Sequence, residues 1–347
     1  MWNPSEWQYR GEGNKHLVLF YNGCSTDLRG KVIRLQKLRS DSQAIADESL
    51  QDARRYLETL EKVFAPLLGE SYVQHMEVIE LPNEFLVEAA LMTHREKNFD
   101  RLSTYGQLCD DLLSGPVAVE IKPKWGFMPK MDGQKQKTCR FCMHSHLRGS
   151  HSHYCPIDLY SGDRSRIVKA LSALTITPRN NFRVCMNEPF TADALHTLIA
   201  EIIMTDPILP NLAELQKSLD ELDIERIWPM YEEQKDQLQH LSIDEWARAV
   251  NNFKSGSHRD DHIQRIMEYT LSMTFKDCSV MICIGASADK QIEWYFDGRW
   301  HSSTYSVRVI DLDLKSVDNI DRWYELDQTI VQHAVKSGLN RQCENTS

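Results

Sequence analysis

The sequence has no run of apolar residues long enough to cross a bilayer, a span that requires about 20 residues in a helix. Its first residues, 1–4, form neither a basic nor an apolar segment, so we expect no secretory signal peptide. It also shows no internal repeat and no low-complexity segment. These absences predict a globular protein of the cytoplasm and nucleus that does not bind membranes.

The sequence has no excess of positive charge either. Its 40 Lys and Arg residues are outnumbered by 50 Asp and Glu residues, and the net charge is −10. A protein that covers nucleic acid with its surface carries the opposite balance, so we expect no nucleic-acid partner. A single basic pocket stays possible, because a cleft focuses the field of the residues that line it.

The cysteines do not form the even set that a disulfide framework needs, since there are nine of them. Four of them are scattered singly in apolar stretches, and we interpret these as buried free thiols in a reducing compartment. They are Cys109, Cys185, Cys278 and Cys283.

Three other cysteines are clustered. Cys139 and Cys142 have the spacing of half a zinc site, and Cys155 follows after four histidines. We predict a structural zinc site in which His146 is the fourth ligand, because its spacing allows the chain to close a tetrahedron. Three thiolates favour a closed structural site over a catalytic one. The alternative is three free thiols beside solvated histidines.

The order of predicted elements indicates an α+β fold with two lobes. Strands are predicted at residues 7–10, 16–21 and 31–37, followed by a helix at 53–68. Later strands are predicted at 117–122, 279–284 and 305–314, with helices at 164–174 and 263–273 and a mostly helical region at 191–253. We expect an N-terminal lobe (1–111), a hinge (112–119), a C-terminal lobe (120–335) with the zinc segment 139–155, and a flexible tail (336–347).

A glycine-rich segment, Gly11-Glu12-Gly13-Asn14-Lys15, separates the first two predicted strands. Its backbone N–H groups can approach phosphate oxygens, because glycine has no Cβ to keep the phosphate away. The following strand carries Arg34, and a cationic side chain behind a glycine loop can hold nucleotide phosphates. The alternative is an ordinary hairpin turn beside a solvated strand face.

A second segment, residues 119–127, combines a carboxylate with two amines. Glu120, Lys122 and Lys124 alternate along a strand and therefore project to one side. Two lysines on one side repel each other unless an anion such as a phosphate lies between them. Basic residues continue from 130 to 148, which predicts a local electropositive patch or a basic surface loop.

Acidic residues follow at two strand ends, Asp277 before the strand at 279–284 and Asp311 after the last strand. Phosphoryl transfer needs one carboxylate that holds Mg²⁺ and another that accepts the proton of the hydroxyl. The amides of Asn180 and Asn181, near Arg183, could assist such a site.

In this order, these blocks resemble the signature of the inositol-pentakisphosphate 2-kinase family. The matching blocks are Arg-Gly-Glu-Gly-Asn (10–14), Glu-Ile-Lys-Pro-Lys (120–124), Cys-Arg-Phe-Cys-Met-His (139–144), Asn-Asn-Phe-Arg (180–183), Lys-Asp-Cys-Ser (276–279) and Asp-Leu-Asp-Leu-Lys (311–315). The resemblance covers residues 7–330, nearly the whole chain.

The resemblance implies ATP-dependent phosphorylation of the axial 2-hydroxyl of inositol 1,3,4,5,6-pentakisphosphate, which yields inositol hexakisphosphate. It also implies a two-lobed, kinase-like fold with a partly helical inositide-binding insertion in the C-terminal lobe. The expected ligands are ATP, the inositide, Mg²⁺ and a structural Zn²⁺, and a monomer is the default expectation.

The resemblance also implies residue roles. Asp277 would be the general base, with Lys122 in the catalytic group, and Asp311 and Asn181 would hold Mg²⁺. The nucleotide would contact Gly11, Glu12, Gly13, Asn14, Lys15, Arg34 and Glu120. The inositide phosphates would contact Arg39, Arg101, Lys122, Lys124, Arg148, Asn180, Arg183 and Lys315. No contact is assigned at 322–324, because residues 316–319 depart from the family pattern.

Two other functions are compatible with parts of the sequence. A zinc-stabilised nucleic-acid-binding module could use the basic segment, but interleaved aromatics and a second zinc half-site are missing. An inositol phosphate kinase of different position specificity, or an inactive scaffold of the same fold, is the second alternative. The presence of Asp277, Asp311, Lys122 and Lys124 argues against inactivity.

Overall fold

A computed structural model of the chain describes residues 2–38, 46–94, 99–129, 133–150, 152–257, 260–285 and 289–343. Two five-stranded antiparallel sheets and many helices make up this part of the chain, so the α+β prediction is confirmed. Of the helices that the structure describes, none is both long and apolar enough to span a bilayer.

The strands, in chain order, are β1 Trp7–Glu12, β2 His16–Tyr21, β3 Lys31–Leu38, β4 Met76–Glu80, β5 Arg101–Asp110, β6 Val117–Ile121, β7 Phe182–Met186, β8 Ser279–Ile284, β9 Lys290–Phe296 and β10 Arg299–Ile310. The helices are α1 Ala46–Thr59, α2 Ala65–Leu68, α3 Asn83–Leu91, α4 Gln134–Lys137, α5 Arg140–Leu147, α6 Pro156–Leu159, α7 Arg164–Ile176, α8 Ala192–Thr205, α9 Ile208–Ser218, α10 Asp223–Gln234, α11 Ile243–Ser255, α12 His262–Phe275 and α13 Ile320–Lys336.

Contacts divide the chain into two compact units. The first contains Met1–Glu61 and Gln74–Ser114, and the second contains Lys62–Val73 and Gly115–Ser347. The sequence prediction assigned all of 1–111 to the first lobe, whereas the structure places Lys62–Val73 in the second unit. Tyr72 shows why, since its hydroxyl donates a hydrogen bond to the buried Asp206 at the end of α8, at 2.9 Å.

The first unit is built on a sheet with the order β1-β2-β3-β5-β4. Alternating residues of β2 and β3 turn inward, and Leu17, Leu19, Ile33 and Leu35 are fully buried. Such alternation is typical of strands with one face on a core. The glycine-rich segment is the turn between β1 and β2, and the N–H of Gly13 donates to the carbonyl of His16 at 2.9 Å.

The second unit is built on a sheet with the order β7-β6-β8-β10-β9. All residues of β8 are buried, because this strand lies in the middle of the sheet and is covered on both faces. Strand β6 pairs with β8 and β7, so Glu120 lies in register with Met281 on one side and Arg183 on the other. This pairing brings the end of β6 beside the start of β8.

Several elements were not predicted from the sequence. They are β4, β5, β7, β9, α5 and α13. The prediction of a flexible tail from 336 onward is wrong for the described residues up to 343: Cys343 is buried, and its N–H donates to the carbonyl of Lys137 at 2.8 Å. The long helix α13 packs against α5 and α10 and leads the chain to this position.

Candidate functional site

A cavity of about 580 Å³ lies in the second unit. We call it the basic cavity, because seven of its lining residues are lysines or arginines and two are aspartates. The cationic residues are Lys124, Arg140, Arg148, Arg179, Lys276, Lys315 and Arg322, and the aspartates are Asp277 and Asp327. In a chain of net charge −10, such a lining marks a site for an anion with several charges.

The two lysines after β6 each face an aspartate. Lys122 forms an ion pair with Asp311, and the Nζ of Lys124 lies 3.2 Å from an oxygen of Asp277. Lys124 has a φ of 64°, a left-handed conformation that costs a residue with a side chain about 1 kcal/mol. The sequence argument required an anion between the two lysines, and the structure supplies a carboxylate for each.

Asp277 follows α12 at the floor of the basic cavity and is held between two amines. Lys315 approaches it from the segment after β10, with its Nζ 2.9 Å from the second carboxylate oxygen. Burial opposes the charge of Asp277, but Lys124 and Lys315 outweigh it and hold the pKa of this carboxyl below its ordinary value. Asp277 is therefore ionised at neutral pH and able to accept a proton.

Asp311 lies at the end of β10 and is linked to β6 and β8. The hydroxyl of Ser279 contacts both Asp311 Oδ2, at 3.0 Å, and Glu120, at 2.9 Å. Oδ2 of Asp311 also receives the ammonium of Lys122, whereas Oδ1 has no hydrogen bond within the described residues. The backbone of Asn181 binds the same lysine, because the Asn181 carbonyl accepts the N–H of Lys122 at 2.8 Å.

The predicted inositide contacts fall into three groups. Lys124, Arg148, Asn180 and Lys315 line the basic cavity, and so does Asn181. Arg183, which is exposed on β7, and Lys122, which pairs with Asp311, are not among the described residues that line the cavity. Arg101 begins β5 in the first unit, and Arg39 lies outside the described residues.

Sequence reasoning missed several lining residues. They are His144, Arg179 and Lys276. Arg140 also lines the cavity and belongs to the basic segment 130–148 that was predicted as an electropositive patch, and Arg322 lies in the region that was left without an assigned contact. The missed signal is helical spacing, since Arg140, His144 and Arg148 follow one another at intervals of four and share one face at α5. Burial, together with the neighbouring charges of Arg140, Arg148 and Lys124, lowers the pKa of His144 to about 4.

Behind the cavity wall lies a set of paired charges, here named the buried charge network. Lys135 is the centre, with Asp223, Glu225 and Asp327 at 2.8, 3.1 and 2.7 Å from its Nζ. Asp327 also forms an ion pair with Arg140, whose Nε lies 2.8 Å from its Oδ1. The prediction that Lys135 belongs to an electropositive patch is wrong, because three carboxylates neutralise it in the interior.

Lys276, next to the proposed base in sequence, is also buried. Its ammonium lies 2.5 Å from Asp220 and 3.9 Å from the centre of the Trp125 ring. Burial raises the pKa of Asp220 to about 6 and lowers the pKa of Lys276. Both shifts follow from the loss of water around the pair, which the attraction between the charges offsets in part.

Four thiols come together beside α5. The sulfurs of Cys139, Cys142, Cys155 and Cys343 lie within 4.8 Å of one another, and all four residues are buried. The structure corrects the predicted fourth ligand: the Nδ1 of His146 instead lies 3.2 Å from the Nε2 of His333. A helix directs His146 away from the cysteines, whereas the terminal segment carries Cys343 back to them.

In the first unit, the glycine-rich turn is fixed by a buried ion pair. Lys37 lies 2.5 Å from Glu12, whose side chain is fully buried, and also donates to the carbonyl of Gly13 at 3.1 Å. The second Glu12 oxygen accepts the N–H of His94. The side chain of Glu12 therefore holds the turn in place, and Asn14 and Lys15 are the exposed residues at its tip.

An ionised aspartate between two ammonium groups, at the floor of a cavity with an excess of cations, is the arrangement of a phosphotransferase for a polyanionic substrate. The comparisons with known proteins agree with this class. The family model described as inositol-pentakisphosphate 2-kinase matches residues 9–329, and the chain therefore belongs to the inositol-pentakisphosphate 2-kinase family.

Three relatives with that name match along almost their whole length. The zebrafish (Danio rerio) protein is 27% identical over 462 aligned positions, which cover 96% of this chain and 94% of the relative. The Arabidopsis thaliana protein is 28% identical and the alignment covers 95% and 93%. The Cryptococcus neoformans protein is also 28% identical, with 94% and 92% covered. The zebrafish alignment is longer than the 347 residues of this chain, so that relative carries additional inserted residues.

Proposed function

We propose that this protein transfers the γ-phosphoryl group of ATP to the 2-hydroxyl of inositol 1,3,4,5,6-pentakisphosphate and forms inositol hexakisphosphate. The observation that carries the proposal is the basic cavity with ionised Asp277 at its floor. Arg148, Arg179 and Arg322 line this cavity, and within the described residues none of them has a carboxylate partner. Family membership supplies the reaction and the position of the acceptor hydroxyl.

In the proposed reaction, the 2-hydroxyl oxygen attacks the γ-phosphorus and forms the new P–O bond. The bond between the γ-phosphorus and the β–γ bridging oxygen breaks, and ADP leaves with its electron pair. Asp277 accepts the hydroxyl proton, which its ionised state allows. Lys124 and Lys315 hold Asp277 in place and present positive charge to the inositide phosphates, while Lys122 does so beside Asp311.

Asp311 and Asn181 fit the expected magnesium site by the chemistry of their donors, since carboxylate and amide oxygens are the ligands that Mg²⁺ prefers. Oδ2 of Asp311 is taken up by Ser279 and Lys122, which fixes the carboxylate and leaves Oδ1 for the ion. When bound, Mg²⁺ would offset the charge of the transferring phosphates.

We assign the nucleotide phosphates to the turn between β1 and β2, to Lys15 and to Arg34, as in a two-lobed, kinase-like fold. The exposed backbone at Gly13 and Asn14, which Lys37 and Glu12 hold in place, supports this assignment. Arg34 lies beside the Tyr56 ring at 5.6 Å. Glu120 belongs to the second unit, where its carboxylate lies 2.9 Å from the Ser279 hydroxyl, and its role in nucleotide binding stays a prediction.

We propose that the four thiols hold a structural Zn²⁺. Four buried cysteines whose sulfurs lie within 4.8 Å of one another have the donor set of a closed structural zinc site. Metal analysis of the purified chain tests this proposal, with about one zinc per chain expected. Cys343→Ser should lower the zinc content and the melting temperature, and His146→Gln should change neither.

The reaction is tested with Mg-ATP and inositol 1,3,4,5,6-pentakisphosphate, by ADP formation and by resolution of the product on an anion-exchange column. A hexakisphosphate peak that grows in step with ADP is the expected result. A product from another pentakisphosphate isomer alone would favour a kinase of different position specificity. Tight inositide binding without turnover would favour a scaffold, and binding of nucleic acid in place of the inositide would overturn the proposal.

A further inference from the structure

Two short segments carry the residues that act on the inositide in the proposed reaction, Lys124 and Asp277. One follows β6 and contains Lys124, and the other, residues 275–277, runs from the last residue of α12, Phe275, to Asp277. A single side chain from a third element, Gln216 on α9, hydrogen-bonds to the backbone of both segments. Gln216 is fully buried, and no motif in the sequence marks it.

The amide of Gln216 uses its acceptor and both of its donors. Its Oε1 accepts the N–H of Gly126 at 2.7 Å. Its Nε2 donates to the carbonyl of Lys124 at 3.0 Å and to the carbonyl of Phe275 at 3.0 Å. The partners determine the orientation of the amide, because a backbone N–H can only donate and a carbonyl can only accept. No other side chain of this length offers one acceptor and two donors.

The segment around Lys124 has a backbone conformation that requires support from neighbouring residues. Lys124 has a left-handed φ of 64°, which an unconstrained lysine rarely adopts. Tyr160 supports the same carbonyl with its hydroxyl, at 3.3 Å, and its ring packs so closely on Gly126 that a Cβ there would lie 2.7 Å away. A lysine released from these contacts would return to a negative φ and carry its ammonium away from Asp277.

The end of α9 also contacts the second segment through charge. Asp220, four residues after Gln216, pairs with Lys276, whose ammonium lies against the ring of Trp125. Residues 216–220 therefore contact the second segment twice, through the Gln216 amide and through the Asp220 ion pair, and they contact the first segment through the Gln216 amide. The Nζ of Lys124 on the first segment lies 3.2 Å from Asp277 on the second.

We propose that Gln216 is a positioning residue for phosphoryl transfer, which holds the phosphate-binding Lys124 and the base Asp277 at a fixed separation through their backbones. The inference rests on the proposed function, since it assumes that these two residues act on the inositide. Gln216 is not among the described residues that line the basic cavity. Its effect should therefore reach the acceptor side of the reaction and leave nucleotide binding unchanged.

The test compares Gln216→Met with a matched control, Gln264→Met. Gln264 is also buried in the second unit, and its amide donates to the carbonyl of Ala249 at 2.8 Å and to Glu268 at 2.9 Å, none of which lines the basic cavity. For each variant, we would measure the melting temperature, kcat, the KM for each substrate and inositide binding by calorimetry, well below the melting temperature.

Both variants should melt earlier than the unchanged protein. Gln216→Met alone should lower kcat by about 10- to 100-fold, because a displacement of about 1 Å at reacting groups has an effect of that size. Its KM for the inositide should rise, and its KM for ATP should stay within about twofold of the unchanged value, as expected for a change confined to the acceptor side. Tyr160→Phe is a milder variant that should shift the same parameters in the same direction.

Equal kinetic losses in Gln216→Met and Gln264→Met would overturn the inference, because they would show a purely structural role. If Gln216→Met does not fold, normal kinetics in Tyr160→Phe would overturn it as well. If the unchanged protein binds the inositide without turnover, the proposed reaction fails, and binding weakened only in Gln216→Met would still support the positioning of Lys124. Neither binding nor turnover in the unchanged protein would overturn both proposals.

Discussion

Two groups of cationic side chains in the second unit differ in what neutralises them. In the buried charge network, the side chain of Lys135 is almost fully buried, and three carboxylates neutralise its charge. In the basic cavity, Arg148, Arg179 and Arg322 face solvent without a carboxylate partner in the described part of the chain. Arg140 belongs to both groups, since it lines the cavity and pairs with Asp327.

The comparison shows that lysine and arginine have different roles in the two groups. A buried cation with all its partners contributes to a fixed arrangement of helices, and its loss leaves uncompensated charge in the interior. An unpartnered cation at a cavity repels its neighbours until an anion arrives, and this stored repulsion favours binding of a polyanion. The following changes separate the two groups, from the largest expected effect to the smallest.

Asp277→Asn tests the proposed general base, which lies between Lys124 and Lys315. We expect kcat to fall by about 10²- to 10⁴-fold, the usual contribution of a general base. Inositide binding should be retained or become tighter, because a negative charge has been removed from the cavity floor. Product formation and calorimetric binding are the two measurements, and turnover within tenfold of the unchanged protein would show that Asp277 is not the base.

Lys135→Met tests the buried charge network. Three carboxylates would lose their common partner, and the free energy of unfolding should fall by about 3–5 kcal/mol. Urea unfolding, followed by tryptophan fluorescence, measures this change. Arg179→Gln is the control from the other group, and its stability should stay within about 0.5 kcal/mol of the unchanged protein.

Arg179→Gln and Arg322→Gln also test the basic cavity itself. Each should weaken inositide binding by about 1.5–3 kcal/mol, the contribution of a hydrogen bond between charged groups, without lowering kcat to the same degree. Binding should also become less sensitive to salt, because fewer charges contribute. Unchanged affinity in both variants would show that these arginines contact no phosphate.

His144 should give the smallest effect. Burial and three neighbouring cations hold its pKa at about 4 in the free protein. Inositide phosphates that neutralise those cations would raise the pKa of His144. Binding should therefore be accompanied by uptake of a fraction of one proton between pH 4 and 7. The contribution of His144 to binding should also grow as the pH falls. Calorimetry in buffers of different ionisation enthalpy measures the uptake, and His144→Gln, in which it should vanish, corrects for protonation of the inositide.

Much of the fold could be predicted from periodicity, including β2, β3, β8 and the helices of the middle region. Strand β9 was not predicted, although Asp297-Gly298 is a common hairpin-turn sequence and could have indicated a strand on either side. Helix α5 was not predicted for a different reason: it has only eight residues, and its apolar face is limited to Met143 and Leu147, which pack with residues of α13, while Arg140 and His144 face the cavity.

The candidate site could be predicted only in part. Lys124, Arg148, Asn180 and Lys315 do line one cavity with Asp277, and their roles stay predictions. Gln216 could not be found in this way, since a buried glutamine looks ordinary in any sequence, and no contact was assigned to Arg322 because residues 316–319 depart from the family pattern. Their importance depends on groups from elements that are remote along the chain.

The sequence by itself determined the family and the set of chemical groups, because ordered blocks of charged residues are local patterns that survive without coordinates. Only the tertiary structure decided which cations are neutralised, which thiol completes the cysteine cluster and which side chain fixes the two reacting segments. Charge pairing and hydrogen bonding act over a few ångströms. Lys135 and Asp327, or Cys142 and Cys343, lie about 200 positions apart in the chain and meet only when it folds.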